Sequence, residues 1–376
     1  MVYNLHRDLY KAARLTRLTT QKVKHYLHIP AIVENLRISL LQKNYTPGTY
    51  TCFAVSDPVP REILAPSYPD RIIHRWLVNK MEPYVDARLL SCSYANRKGK
   101  GHHLAVKDLQ RYLHNYEYKY YLKADIKSFF NSISHAVLLK LVHRWIQNYL
   151  PYSKEENELI YDVAKKIITH NPTQNVVLTG NRALLKQVPA HKSYFNNPAG
   201  VGLPLGNLTS QFFANIYLHE LDRYVKHHLK VKYYLRYVDD FVILGKSAKE
   251  LADLLEKIRV FLQKELCLEL HPEKIRIQPV KNGIDFCGYV VWARSIIVRK
   301  RVIKQFHKKL NFFRYLLNAE KYRHWKLSVT GNSYLEKAYR ERKLHLPVSM
   351  EDKATIRRIK CSIASYSGVM KFMKNE

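Results

Sequence analysis

The chain has 376 residues, 47% of them hydrophobic, which supplies a real core and excludes a disordered chain. Its formal charge is +32, from 63 Lys and Arg against 31 Asp and Glu, so a polyanion is the expected partner. No run of 18 apolar residues and no lipidation signal is present, and the start, Met1-Val2-Tyr3-Asn4, lacks a signal-peptide core, which argues against a membrane or secreted protein.

The length predicts two or three subdomains. Residues 1–50 alternate basic and apolar positions at helical spacing, for example Leu36, Leu40 and Leu41, and helices in contact with RNA are expected. Pro58, Pro60, Pro66 and Pro69 mark short strands and turns. Ile72, Ile73, Trp76, Leu77 and Met81 predict a helix between Asp70 and Leu90. The loop from Asn96 to Gly101 is basic and Gly-rich, with backbone N–H groups suited to phosphate. Tyr120 to Asp125 reads as a strand that ends in a carboxylate. Residues 135–148 read as a helix and 150–199 as a helical and loop insertion. The turn Gly202-Leu203-Pro204-Leu205-Gly206-Asn207-Leu208-Thr209-Ser210-Gln211 opens an apolar helix, Phe212 to Leu221, and suits packing of backbone against a nucleotide or template base.

Tyr237-Val238-Asp239-Asp240 lies between Tyr233-Tyr234-Leu235 and Phe241-Val242-Ile243-Leu244, which predicts strand, tight turn, strand with two carboxylates at the tip. Leu251, Leu254, Leu255, Ile258 and Leu262 predict an amphipathic helix over 247–266, and 284–298 reads as a hairpin. The segment from Arg299 to Glu376 reads as helical and carries 20 Lys and Arg against 6 Asp and Glu. Five scattered cysteines without a C-x-x-C read as buried thiols in a reducing compartment. His102-His103 and His227-His228 lack metal-ligand spacing.

Adjacent carboxylates repel, and the usual counter-charge is a divalent cation. Asp125, Asp239 and Asp240 on two strand ends suit a pair of Mg²⁺ ions about 3.5–4 Å apart, the arrangement that serves in-line nucleotidyl transfer. Mn²⁺ takes the same oxygen ligands. The pattern is that of a nucleic-acid polymerase.

The order of motifs resembles a reverse transcriptase over roughly residues 50–300. The pieces are Arg61-Glu62-Ile63, Asp70-Arg71, Ser93-Tyr94-Ala95-Asn96-Arg97, the Asp125 strand, Leu203-Pro204-Leu205-Gly206, Tyr237 to Asp240, and Phe286-Cys287-Gly288-Tyr289. Pro204 to Gln211 resembles the S-Q variant of the diversity-generating retroelement class, as do Val188-Pro189-Ala190-His191-Lys192-Ser193 and Phe213 to Leu218. The Cys/His endonuclease tail, maturase extension and RNase H domain of other relatives are not expected.

The resemblance implies an α+β right-hand polymerase of fingers, palm and thumb, with an antiparallel palm sheet and a helical thumb. On this basis residues 1–118 hold N-terminal helices and fingers, and 119–136 the first catalytic strand of the palm. Residues 137–200 form a fingers/palm insertion. Residues 201–298 complete the palm with the catalytic and primer-grip-like hairpins, and 299–376 form a basic thumb. Asp125, Asp239 and Asp240 are the implied catalytic carboxylates, with the Ile126 carbonyl completing a metal shell. Arg61 and Arg97 would meet the incoming triphosphate, a task that suits the planar guanidinium fork. Phe130 would exclude a ribose 2′-OH by its bulk. Leu205 and Gly206 would border the dNTP, and Pro204, Asn207, Ser210, Gln211 and Tyr237 the template. Many relatives carry Gln where Leu205 stands, and Leu cannot form a hydrogen bond, so an inaccurate active site is expected. Thumb aromatics Phe306, Tyr322 and Trp325 are expected to pack helices.

Implied partners are dNTPs, a structured template-repeat RNA, the RNA–cDNA duplex and a small helical, oligomeric accessory variability protein. Adenine-directed errors would diversify a target gene, in a bacterial or phage-encoded, cytoplasmic setting. Three alternatives stay open. One is a phage-defence or group II intron-like reverse transcriptase of ordinary fidelity. Another is an RNA-dependent RNA polymerase, which Phe130 disfavours. The third, a non-enzymatic RNA-binding module, explains the charge but not the acids.

Overall fold

Apolar residues at helical spacing pull the N-terminal helices onto the core. The computed structural model describes residues 2–16, 28–56, 59–317 and 353–374. Helix α1 (Val2–Leu15) buries Leu5, Leu9, Ala12 and Ala13, and α2 (Ile29–Leu41) buries Ile29, Val33, Leu36 and Leu40. Leu36 and Leu40 thus serve packing, while Leu41 stays exposed. Strands β1 (Tyr50–Ser56) and β2 (Pro60–Ala65) pair antiparallel, with Thr51 opposite Ala65 and Val55 opposite Arg61. Helix α3 (Tyr68–Asp86) starts where Ser67 Oγ accepts from the Asp70 amide, and buries Ile72, Ile73, Trp76, Leu77 and Met81.

Helix α4 (His102–Leu113) precedes the central strand, β3 (Tyr120–Asp125). A single turn, α5 (Phe129–Ser132), leads to α6 (His135–Tyr149) and α7 (Lys154–Thr169), each capped by the serine before it. Lys80 of α3 bridges Asp8 of α1 at 2.6 Å and Glu156 of α7 at 2.7 Å. Strand β4 (Val176–Leu178) then adds to the free edge of β1 in parallel. A short helix, α8 (Arg182–Leu185), and two 3₁₀ turns complete this insertion.

Helix α9 (Leu208–Arg223) is buried on nearly all sides, its polar residues Thr209, Ser210, Asn215, His219 and Asp222 included. Strands β5 (Tyr234–Tyr237) and β6 (Asp240–Gly245), helix α10 (Ala248–Leu266) and strand β7 (Arg276–Pro279) follow. The central sheet is four-stranded in the order β5-β6-β3-β7. Leu122, Ala124, Phe241, Val242 and Ile243 at its middle are fully buried.

The chain divides into two compact units, residues 1–105 with 117–278, and 106–116 with 279–376. The second unit holds a separate three-stranded sheet of β8 (Ile284–Phe286), β9 (Tyr289–Val291) and β10 (Ile296–Val298). The break between the units falls at 278/279, inside the span 201–298 expected to be palm. The expected hairpin pairs with β10, not with the β3 sheet, and so belongs with the basic C-terminal helices. Those helices are α11 (Lys300–Leu317) and α12 (Lys353–Lys374). Phe306 meets Tyr366 with ring centroids 4.9 Å apart, so this aromatic packs helix on helix. Tyr322 and Trp325 lie outside the described residues. All five cysteines are free thiols, with Cys52 and Cys92 buried. Among the described residues no helix is long and apolar enough to cross a membrane.

Candidate active site

Strand register brings the carboxylates together. Asp125, last in β3, lies directly opposite Asp240, first in β6. Opposed residues of an antiparallel pair have Cβ atoms about 4.5–5.5 Å apart. On the other side of β6, Tyr237 faces Asp240, so β5 and β6 close through the two-residue turn Val238-Asp239. The Ile126 amide donates to the Asp239 carbonyl at 3.3 Å, which ties this turn to the end of β3. The His271 amide donates to the Asp125 carbonyl at 2.8 Å and brings the next segment alongside.

Crowding of like charge marks this end of the sheet. Burial, with repulsion from Asp125 behind it, pushes the Asp239 carboxyl up to about 7. Burial also raises Asp240 to about 6, against the opposing pull of Lys123. Two lysines supply counter-charge: Lys274 Nζ lies 2.9 Å from Asp125 Oδ1, and Lys123 Nζ 3.0 Å from Asp240 Oδ2. Asp240 Oδ1 is buried without a hydrogen-bond partner. An orphaned carboxylate oxygen beside two further acids is a donor set that fits a hard divalent cation. In the present conformation the described residues do not close into a three-ligand cage, because the lysines engage two of the acids.

The turn itself is strained. Val238 has φ of 57°, in the left-handed region that disfavours a β-branched residue by about 1–2 kcal/mol. A two-residue hairpin with positive φ at its first position ordinarily takes Gly there. The Val238 carbonyl accepts from Arg236 Nη1 at 2.9 Å, and a hydrogen bond from a charged donor contributes about 1.5–3 kcal/mol, enough to offset that strain.

A second wall is the turn before α9. The Leu64 amide donates to the Leu205 carbonyl at 2.9 Å, so the turn lies along β2. Gly206 has φ of 106°, and a Cβ there would sit 2.7 Å from Ile63 Cγ2, so only Gly permits this approach. Ser210 Oγ donates to the Pro204 carbonyl at 2.8 Å, and both residues are buried. The Asn207 side chain reaches the Tyr50 hydroxyl but leaves its own Oδ1 buried and unpartnered. Gln211 is exposed, and Leu205 and Tyr237 are half-buried. The Leu203 amide donates to the Phe130 carbonyl at 2.7 Å, which joins half-buried Phe130 to the same wall.

The two arginines part company. Arg61 is exposed on β2. Arg97 faces inward: its guanidinium donates to the carbonyls of Leu90 at 2.7 Å, Asp86 at 2.9 Å, Ser93 at 3.1 Å and Leu89 at 3.3 Å. It also pairs with Asp86 Oδ1 at 2.6 Å, and its side chain is 7% exposed. In this structure Arg97, expected to meet the triphosphate, clamps its own loop with every guanidinium nitrogen engaged. The loop from Asn96 to Gly101 is likewise closed on itself, by the Lys100 amide on the Arg97 carbonyl at 3.2 Å. Glu62 anchors the same wall by accepting from Ser193 Oγ at 2.7 Å and the Tyr194 amide at 2.8 Å. Sequence reading passed over Lys123, Lys274 and Arg236, and quoted Glu62 in a motif without giving it a role. The one signal in the sequence was a charge inside an apolar strand, as at Tyr234-Leu235-Arg236.

The profile of the family described as reverse transcriptase (RNA-dependent DNA polymerase) matches residues 60–291. The chain belongs to the reverse transcriptase family. The group II intron-encoded protein LtrA of Lactococcus lactis subsp. cremoris is 23% identical over 313 residues, covering 67% of this chain. Against it, the reverse transcriptase chain spans 47% of the relative's length. Protein YkfC of Escherichia coli (strain K12) is 24% identical over 339 residues, 80% of this chain and 81% of YkfC. A telomerase structure from Candida albicans, solved with a fragment of telomeric RNA, has 14% identity and a TM-score of 0.46, covering 73% of this chain and 50% of its own.

In this reverse transcriptase fold Arg97→Ala should destabilise the protein by about 1–3 kcal/mol, because buried carbonyls lose their donor. Urea denaturation measures this. The dNTP KM in primer extension should stay that of the parent.

Proposed function

We propose that the chain is an RNA-directed DNA polymerase, extending a primer 3′-OH along an RNA template with dNTPs. The observation that carries this reading is the pairing of Asp125 with Asp240 beside the Asp239 turn, inside the matched region of a reverse transcriptase. In the reaction the primer oxygen bonds to the α-phosphorus of a dNTP, the bond to the β-phosphate breaks, and pyrophosphate leaves. Asp125, Asp239 and Asp240, with the Ile126 carbonyl, would hold two Mg²⁺ ions, which supply Lewis-acid activation of the attacking oxygen and charge for the leaving group. Lys123 and Lys274 hold Asp240 and Asp125 in place and temper the repulsion at this sheet end. Arg61, exposed on β2, is free to turn toward the triphosphate. Phe130, whose carbonyl accepts from the Leu203 amide, would exclude a ribose 2′-OH by its bulk.

A basic fold of +32 fits a structured RNA and the RNA–cDNA duplex as ligands. Within this activity we place the chain in the diversity-generating class, supported by the run Leu205-Gly206-Asn207-Leu208-Thr209-Ser210-Gln211 and by apolar Leu205 at the dNTP wall. That class calls for a template-repeat RNA, a small basic helical accessory protein and errors opposite adenine.

Purified protein on a primed RNA template should incorporate dNTPs and reject NTPs. Incorporation of NTPs alone would replace the DNA polymerase reading with an RNA polymerase. Leu205→Gln should cut misincorporation opposite template adenine by about tenfold, the worth of one restored polar contact. Sequencing of the cDNA reads this out, and an unchanged error spectrum would remove the diversity-generating reading while leaving the polymerase.

A further inference from the structure

Arg236 is fully buried, yet the proposed reaction gives it no task. Its Nε and Nη2 donate to Asp222 Oδ1 at 2.7 Å and Oδ2 at 2.6 Å, a two-pronged pair in which both side chains are 0% exposed. Nη2 also donates to Ser93 Oγ at 2.9 Å, and Tyr234 Oη donates to Asp222 Oδ1 at 2.8 Å. Main-chain bonds lock the same residue, from its amide to the Cys92 carbonyl at 2.8 Å and from the Tyr94 amide to its carbonyl at 3.0 Å. Burial alone would lower the guanidinium's proton affinity, but the Asp222 carboxylate more than reverses this, so the group is charged.

A buried ion pair of this kind is seldom needed for stability, since apolar residues of similar volume usually serve a core as well or better. Here one donor, Nη1, leaves the pair and reaches the Val238 carbonyl at 2.9 Å, at the strained position of the catalytic turn. Asp239 is the next residue. We propose, resting on the polymerase reading above, that Arg236 is a positioning residue: braced by Asp222 and Ser93, it holds the Val238 peptide and so aims the Asp239 carboxylate for divalent-metal binding. Asp222 on α9 and the segment Ser93-Tyr94 thereby become parts of the catalytic apparatus without touching substrate. Lysine cannot replace this residue, because one ammonium lacks the fork needed to grip Asp222 and Val238 together.

Two variants test the assignment on the full chain. Asp222→Leu combined with Arg236→Met removes both charges at similar volume. Arg236→Lys keeps the charge and removes the fork. Each is followed by circular dichroism and thermal melting for the fold, by Mn²⁺ titration with EPR detection for metal affinity, and by primer extension. Both should keep the parent's circular dichroism spectrum but melt lower, since the Val238 carbonyl loses its charged donor; they should bind Mn²⁺ about tenfold or more weakly and extend primers more slowly in kcat with little change in dNTP KM. A folded variant with parental Mn²⁺ affinity overturns the proposal. If the double variant fails to fold, Arg236→Lys decides by the same Mn²⁺ criterion. A parent that binds Mn²⁺ but makes no cDNA would count against the polymerase reading alone, since the Mn²⁺ comparison still reports whether Arg236 aims the carboxylates.

Discussion

Asp125 and Asp240 face each other across β3 and β6, and a slip of one residue would turn one of them to the opposite face of the sheet. The register is held by the apolar middle of both strands, where Leu122, Ala124, Phe241, Val242 and Ile243 leave no room for a polar alternative. Hydrophobic burial on both faces thus fixes where two negative charges must meet. The cost of that meeting is visible in the upward shift of Asp239 and Asp240, and it is met locally by Lys123 and Lys274. A cation entering here would relieve repulsion already present in the fold, which is what the proposed phosphoryl chemistry requires.

The surrounding motifs divide into those proposed to border the dNTP and those that brace the fold. Leu205, Gly206 and Phe130 are tied by backbone bonds into one wall, with Gly206 tolerating an approach to Ile63 that no side chain would permit. Glu62 instead accepts from a buried hydroxyl and amide, Ser93 Oγ from the Arg236 guanidinium, and Arg97 donates to carbonyls of its own loop. A motif in a basic chain is read most readily as substrate contact, but several of these residues are spent on their own backbone.

Much of this was legible in the sequence. Strand β3 and the hairpin around Val238-Asp239, a turn flanked by apolar runs, formed where expected, whereas helix α9 starts at Leu208, inside the span read as a turn, and so runs longer than the expected Phe212 to Leu221. Strand β4 was not legible, because three residues paired in parallel with a distant strand leave no local pattern. The surroundings of Arg97 were hidden for a related reason: an arginine in a chain of +32 reads as a phosphate ligand, and the four carbonyls that converge on it come from residues whose approach only the fold shows. The break at 278/279 depended on which strands β8 and β9 chose as partners, a long-range outcome that local spacing does not encode.

The most direct measurement is primer extension on RNA by the parent and by Asp125→Asn, Asp239→Asn and Asp240→Asn, with each variant's fold verified by circular dichroism. The account predicts cDNA from the parent and losses of about a thousandfold or more for Asp125→Asn and Asp239→Asn. Extension at the parental rate by either of those two variants, correctly folded, would contradict it.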